Sequence, residues 1–274
     1  MRKILLILLL TPAALAHEFW LETPRLRLAP GDTVPLRLLV GEDFAGQPWP
    51  GRATKIGRLV RYGPAPADST ALAPADSLRL TLARPGLHTV VLQSTESFAE
   101  LPAAAFTQYL QTEGLDFILD KRREAGTAQQ PGREAYRRVA KTLLQAGDPA
   151  RLPPPADTAA LRPHGLPLEL VAEQNPYRLA AGRNLTLRLL RAGRPVRGGR
   201  VQVWQRQPGG LPTTHFSTRT NSAGRFMVKL LGPGPYLVAA VGMEPAPAAL
   251  RPRADWYSTW ASLTFGGPPA APAR

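Results

Sequence analysis

The chain predicts a mainly β protein: two Ig-like or fibronectin-like β-sandwich domains in tandem, with an intervening helical segment. Three observations predict it. Proline (30) and glycine (24) are abundant while long helical patterns are few, as in chains built from short strands and turns. Leucine alternates with arginine at the strand period in "RLRL" (25–28), "LRL" (36–38), "LRL" (78–80) and "LTLRLL" (185–190). Two segments 151 residues apart, "RLAPGDTVPLRLL" (27–39) and "RLAAGRNLTLRLL" (178–190), are identical at eight of thirteen positions, each reading as strand, glycine turn, strand. A second echo, "RPGLHTVVL" (84–92) against "GPGPYLVAA" (232–240), follows in the same order at nearly the same offset and makes the duplication a domain-level one.

The elements follow in order. Arg2 and Lys3, the apolar run Ile4–Leu10 and Ala14-Leu15-Ala16 read as an export signal over 1–16, too short to span a bilayer. Cleavage would make His17 the first residue of a periplasmic or secreted chain with no transmembrane segment. A first sandwich is expected over 17–101. In the helical segment, 102–147, Phe106, Tyr109 and Leu110 share one face and Gly114 breaks the helix before Phe117 and Ile118. Tyr136, Val139, Ala140, Leu143 and Leu144 form a second stripe, with Arg133, Arg137 and Lys141 facing water. A proline-rich linker (148–164) leads to the second sandwich (165–267), with strands in "GRVQVWQR" (199–206), "GPYLVAAVGM" (234–243) and "WASLTF" (260–265). The tail, 268–274, should be disordered.

Composition removes several functions. Without cysteine there are no disulfides, no lipid-anchored cysteine and no thiolate metal sites. The formal charge of +14, carried almost wholly by arginine, would attract anions. The arginines are scattered, however, and lack the interleaved aromatics of a nucleic-acid surface, so they read as solvated sheet faces and no nucleic-acid partner is expected. No nucleophile elbow, phosphate loop or locally supported Ser-His-Asp pattern occurs, and the chain does not read as an enzyme.

One chemistry remains. A freed His17 offers an α-amine and an imidazole that close a six-membered chelate on one metal ion. Their pKa values of about 7.7–8.0 and about 6.5 let both deprotonate near neutrality. The fold must supply further ligands. His88 and Glu96 are the candidates, with Glu18, Glu42, Asp43 and Glu100 as other carboxylates near strand ends. His164 reads as a loop residue and His215 as a sheet-surface residue. An oxidative copper site at the N-terminal histidine would need a second histidine, for which only His88 qualifies. The five tryptophans, Trp20 and Trp49 above all, could instead stack on sugars, making the chain a glycan- or protein-binding envelope module without a metal role.

"AHEFWLE", "FTQYLQTEGLDFIL" (106–119), "REAYRRVAKTLL" (133–144), "GLPLELVAEQNPY" (165–177) and "ADWYSTWASLTF" (254–265) together resemble the exported domain-of-unknown-function family 4198, associated with nickel and cobalt uptake. The resemblance spans nearly the whole mature chain. It implies a periplasmic binding or accessory component for a divalent transition metal, nickel or cobalt with copper as a third choice, serving a membrane metal transporter. His17 matches the family's histidine after the signal. Members often carry a histidine before the methionine of the segment matching "VAAVGMEP", where this chain has Gly242 and Met243.

Overall fold

The structure, a computed structural model, describes residues 18–269 apart from 52, 76–77, 153–157 and 212. The expected signal over 1–16, His17 and residues 270–274 lie outside the described residues.

The first half contributes β1 (Glu18–Glu22), β2 (Arg27–Leu28), β3 (Thr33–Glu42), β4 (Ala45–Pro48), β5 (Ile56–Tyr62), β6 (Ser69–Ala71), β7 (Leu78–Thr81), β8 (Gly86–Ser94) and β9 (Ser97–Leu101). Then come α1 (Ala103–Thr112), α2 (Asp116–Glu124), β10 (Gly132–Ala146) and the short α3 (Thr158–Leu161). The second half supplies β11 (Leu168–Ala172), β12 (Asn184–Arg191), β13 (Arg194–Pro195), β14 (Arg200–Gln205), β15 (Thr214–Arg219), β16 (Arg225–Lys229), β17 (Pro235–Pro245) and β18 (Trp256–Gly266).

These strands form sandwiches, but the sandwiches share a layer. A ten-stranded sheet runs β15-β14-β17-β18-β10-β8-β5-β6, with β2 and β9 also pairing with β10. Two four-stranded sheets cover it. In the first, β3 pairs with β1, β4 and β7; in the second, β12 pairs with β11, β13 and β16. Val139 and Leu143 of β10 pack with Leu168, Leu170, Leu187 and Leu189 of the second small sheet. Their neighbours Ala140 and Leu144 pack with Phe19, Leu21, Val34 and Leu36 of the first. Because alternate side chains of a strand point to opposite faces, the two small sheets lie on opposite sides of the long one.

The echo in sequence is an echo in backbone. Gly31 and Gly182 both adopt positive φ, +90° and +83°. The amide of each donates at 2.7 Å to a leucine carbonyl at or just past the end of a strand, Leu82 for Gly31 and Leu230 for Gly182. A Cβ is disfavoured at that φ, which explains why glycine stands at both positions.

One expected helix is a strand. The stripe Tyr136, Val139, Ala140, Leu143 and Leu144 belongs to β10, fifteen residues long and paired in parallel with β18 from Glu134↔Trp256 to Thr142↔Thr264. A strand covered on both faces loses the apolar-polar alternation that marks a half-buried one, and its continuous apolar pattern imitates a helix. The expected solvent face also differs. Lys141 is buried and ion-pairs with buried Glu169 at 2.8 Å, and only Arg133 of the three pairs at the surface, with Asp255. α1 agrees with its pattern, burying Phe106, Tyr109 and Leu110, and Gly114 at φ +67° ends it. "WASLTF" is part of β18, which sits mid-sheet between β17 and β10 rather than at its edge.

Candidate metal centre

β1 lies against β18 of the long sheet, fixed there by hydroxyls. Ser262 donates to the Phe19 carbonyl at 2.5 Å and Thr264 to the Leu21 carbonyl at 2.9 Å. These bonds satisfy buried carbonyls that no strand partner reaches. Glu18, the first described residue, is thereby carried into a small enclosed chamber lined by Phe19, Glu113, Gln202, Trp260 and Ser262.

Glu113 enters the chamber from the end of α1, where the Gly114 turn stops the helix. Gln202 of β14 donates from Nε2 to Glu113 Oε2 at 3.2 Å. Its Oε1 lies 3.2 Å from His215 Nε2 of β15, whose ring N–H therefore donates. His215 is exposed and stacks on Trp204 with centroids 4.7 Å apart. Glu113, Gln202 and His215 thus form one hydrogen-bonded row leading from the buried carboxyl to solvent.

Burial controls the chamber's electrostatics. It raises the Glu18 carboxyl to about 8, helped by repulsion from Glu113, Asp43 and Glu42. It raises Glu113 to about 7, against the opposing pull of the Gln202 hydrogen bond and the Arg200 charge. An uncompensated buried carboxylate is costly, and a nearby cation is one of the few things that lowers the cost. Nearby, under α1, Glu134 is also raised to about 7 by burial; it accepts from Tyr109 at 3.2 Å and from Ser258, while Oε2 has no partner.

The sequence candidates fall apart in space. His88, buried in β8, has Nε2 2.8 Å from the Arg84 carbonyl and Nδ1 3.2 Å from Arg61 Nη1. Nε2 must carry the proton to face a carbonyl, leaving Nδ1 to accept from Arg61, so both ring nitrogens are engaged. Burial lowers the His88 pKa, consistent with a neutral ring held in the structure. Glu96 lies past the other end of β8, exposed, accepting from the Tyr257 hydroxyl at 3.0 Å. The six residues from His88 to Ser94 alone span about 20 Å of strand at about 3.3 Å each, so no ion could touch both. His164 is a loop residue, as expected, but buried; it stacks on Tyr62 at 4.1 Å, and burial lowers its pKa to about 4. Trp20 is fully buried, and only Trp49 among the five tryptophans is more than slightly exposed. Gly242, where the family resemblance leads to the expectation of a histidine, faces the second small sheet: a Cβ on it would stand 2.5 Å from Arg191 Nη2 and 3.3 Å from Leu168 Cδ2.

Among the described residues no group of three or more histidine, aspartate and glutamate side chains could hold a metal ion. Of the chamber residues, Glu18 was readable as a carboxylate near a strand end. Glu113 and Gln202 were not, because α1 and β14 meet only through the fold.

No curated protein matches this chain. Among solved structures, similarity is found to the D0-D1 domain of intimin, 12% identical, covering 90% of this chain and 97% of that one with a TM-score of 0.20. It is also found to the three N-terminal domains of the bacteriophage RB49 highly immunogenic outer capsid protein (Hoc), 11% identical, covering 90% of this chain and 59% of that one with a TM-score of 0.19. The family model of a domain of unknown function, DUF4198, matches residues 14–244, and the chain belongs to that family.

Proposed function

We propose that the protein is an exported, periplasmic carrier that captures a divalent transition metal, nickel or cobalt by preference, and hands it to a membrane transporter. The cargo would be held by the amine and imidazole of His17 once the signal is removed. The observation that carries the reading is the burial of Glu18 beside Glu113. Residue 17 is one peptide unit, about 3.8 Å between Cα atoms, from a residue seated in an enclosed chamber with a second buried carboxyl.

The donor set fits the cargo. An imidazole and an amine are borderline ligands suited to nickel, cobalt, zinc or copper, two carboxyl oxygens add hard donors, and there is no thiolate to favour softer ions. A bound dication would also offset the burial cost that raises Glu18 and Glu113. Gln202 would hold Glu113 in place from behind, as supporting hydrogen bonds do in metal sites generally. His88 and Glu96 have no part in this reading. Among the described residues no helix is long and apolar enough to cross a membrane, so hand-over would use a separate membrane protein.

Calorimetry with nickel and cobalt on the correctly processed chain should give micromolar or tighter binding. A chain retaining one residue before His17 should lose most of it, and Glu113→Gln should weaken it by about 10- to 100-fold. Undiminished affinity in the extended chain rejects the site.

A further inference from the structure

We propose that the cleft between the α1–α2 turn and the β12–β15 end of the second half binds a small multivalent oxyanion, carboxylate or phosphoryl, through Arg191, Arg194, Arg197, Arg200 and Arg219. The cleft shares Glu113 with the metal chamber, but its arginines make a site of their own that does not depend on the metal reading. The cleft has a volume of about 550 Å³, within the range of small-ligand sites.

The five arginines line it from different places. Arg191 ends β12, Arg194 lies in β13, Arg197 in the following turn, Arg200 opens β14 and Arg219 closes β15. The acids lining the cleft are Asp116 and Glu113. Asp116 contacts Arg219 at 3.4 Å with both side chains more than half exposed, where an ion pair contributes little. Among the described residues no carboxylate ion-pairs with Arg191, Arg194, Arg197 or Arg200. Gathering five like charges with so little compensation is unfavourable unless an anion joins them.

Two further observations show that the cluster is built. Arg200, on the cleft wall, has its Nε buried with no hydrogen-bond partner. The opposite wall comes in close only because residue 114 is glycine. At its φ of +67° a side chain is disfavoured, and a Cβ would stand 2.9 Å from Arg200 Cδ and 3.4 Å from Arg219 Nη2. Planar guanidinium forks match the paired oxygens of carboxylate and phosphoryl groups, which fixes the ligand class.

The test is calorimetry of the full mature chain with citrate and, separately, pyrophosphate, against a background of excess acetate at constant ionic strength. Saturable one-to-one binding of at least one probe is expected. Arg194→Gln/Arg197→Gln, both exposed and safe for folding, should weaken it by about tenfold per guanidinium. Arg37→Gln/Arg79→Gln, exposed strand residues with the same loss of charge, should leave it unchanged. Sedimentation with phosphatidylcholine vesicles, with and without phosphatidic acid, identifies the source. Capture by phosphatidic acid that the cleft pair abolishes assigns a lipid headgroup; probe binding without capture assigns a free anion. Absence of both saturable binding and capture overturns the proposal, as does equal loss in the two double variants, which would reduce the effect to net charge.

Discussion

Replacing Glu134 by glutamine should flatten the pH dependence of stability. Glu134 is 1% exposed, and burial raises its carboxyl from the usual 4.5 to about 7. Below pH 4.5 the group is protonated whether the chain is folded or not, and stability is highest. As pH rises from 4.5 towards 7 the unfolded chain releases its proton while the native protein keeps it, so stability falls; above 7 both states are ionised and the loss is complete. At about 1.36 kcal/mol for each tenfold change in proton affinity, the loss is about 3 kcal/mol. Glutamine keeps an oxygen for the Tyr109 and Ser258 hydroxyls but cannot ionise. Urea unfolding followed by tryptophan fluorescence, at about pH 5 and about pH 8, should show the wild type losing roughly 2.5 kcal/mol more than Glu134→Gln between the two, because part of the loss has already occurred at pH 5. Glu18 and Glu113 titrate in both proteins and cancel in the difference. If both proteins lose the same amount, burial does not set the Glu134 proton affinity and the reasoning fails.

Two other outcomes test the packing. Glu169→Gln should cost about 3–5 kcal/mol in the same urea assay, because it strands Lys141, 3% exposed, without its counter-charge. Lys141→Met/Glu169→Gln should recover part of that loss, since no buried charge is then left unpaired and the glutamine oxygen still accepts from one of the buried His164 and Leu166 amides that Glu169 serves. Gly132→Ala should cost about 1–3 kcal/mol and lower the melting temperature, because the added carbon would stand 2.2 Å from the Phe106 ring in a closed part of the core.

What could be read in advance follows from range. The duplicated turns at Gly31 and Gly182 depend on a few neighbouring residues, and they appear as expected, with positive φ at both. α1 is half-exposed, so its apolar face is periodic and its end at Gly114 is marked. β10 misled because burial on two faces removes the pattern that periodicity detects. The chamber was half legible. Glu18 sits beside the expected processing site, but Glu113 and Gln202 come from elements about ninety residues apart that meet only across the sheet. His88 stood out because histidine is rare in the chain, and its ring serves Arg61 and the Arg84 carbonyl instead. The arginines seemed scattered because their spacing along each strand says nothing of which strand ends converge.

The layer common to both halves makes the duplication indivisible. β10 comes from one copy and β18 from the other, and their parallel ladder runs over nine residue pairs at the middle of the sheet. Excising either copy would bare a long row of amides and carbonyls that invites pairing with foreign chains. The two halves are thus not beads on a string but one body whose seam, the β10–β18 ladder, lies at the middle of the shared sheet.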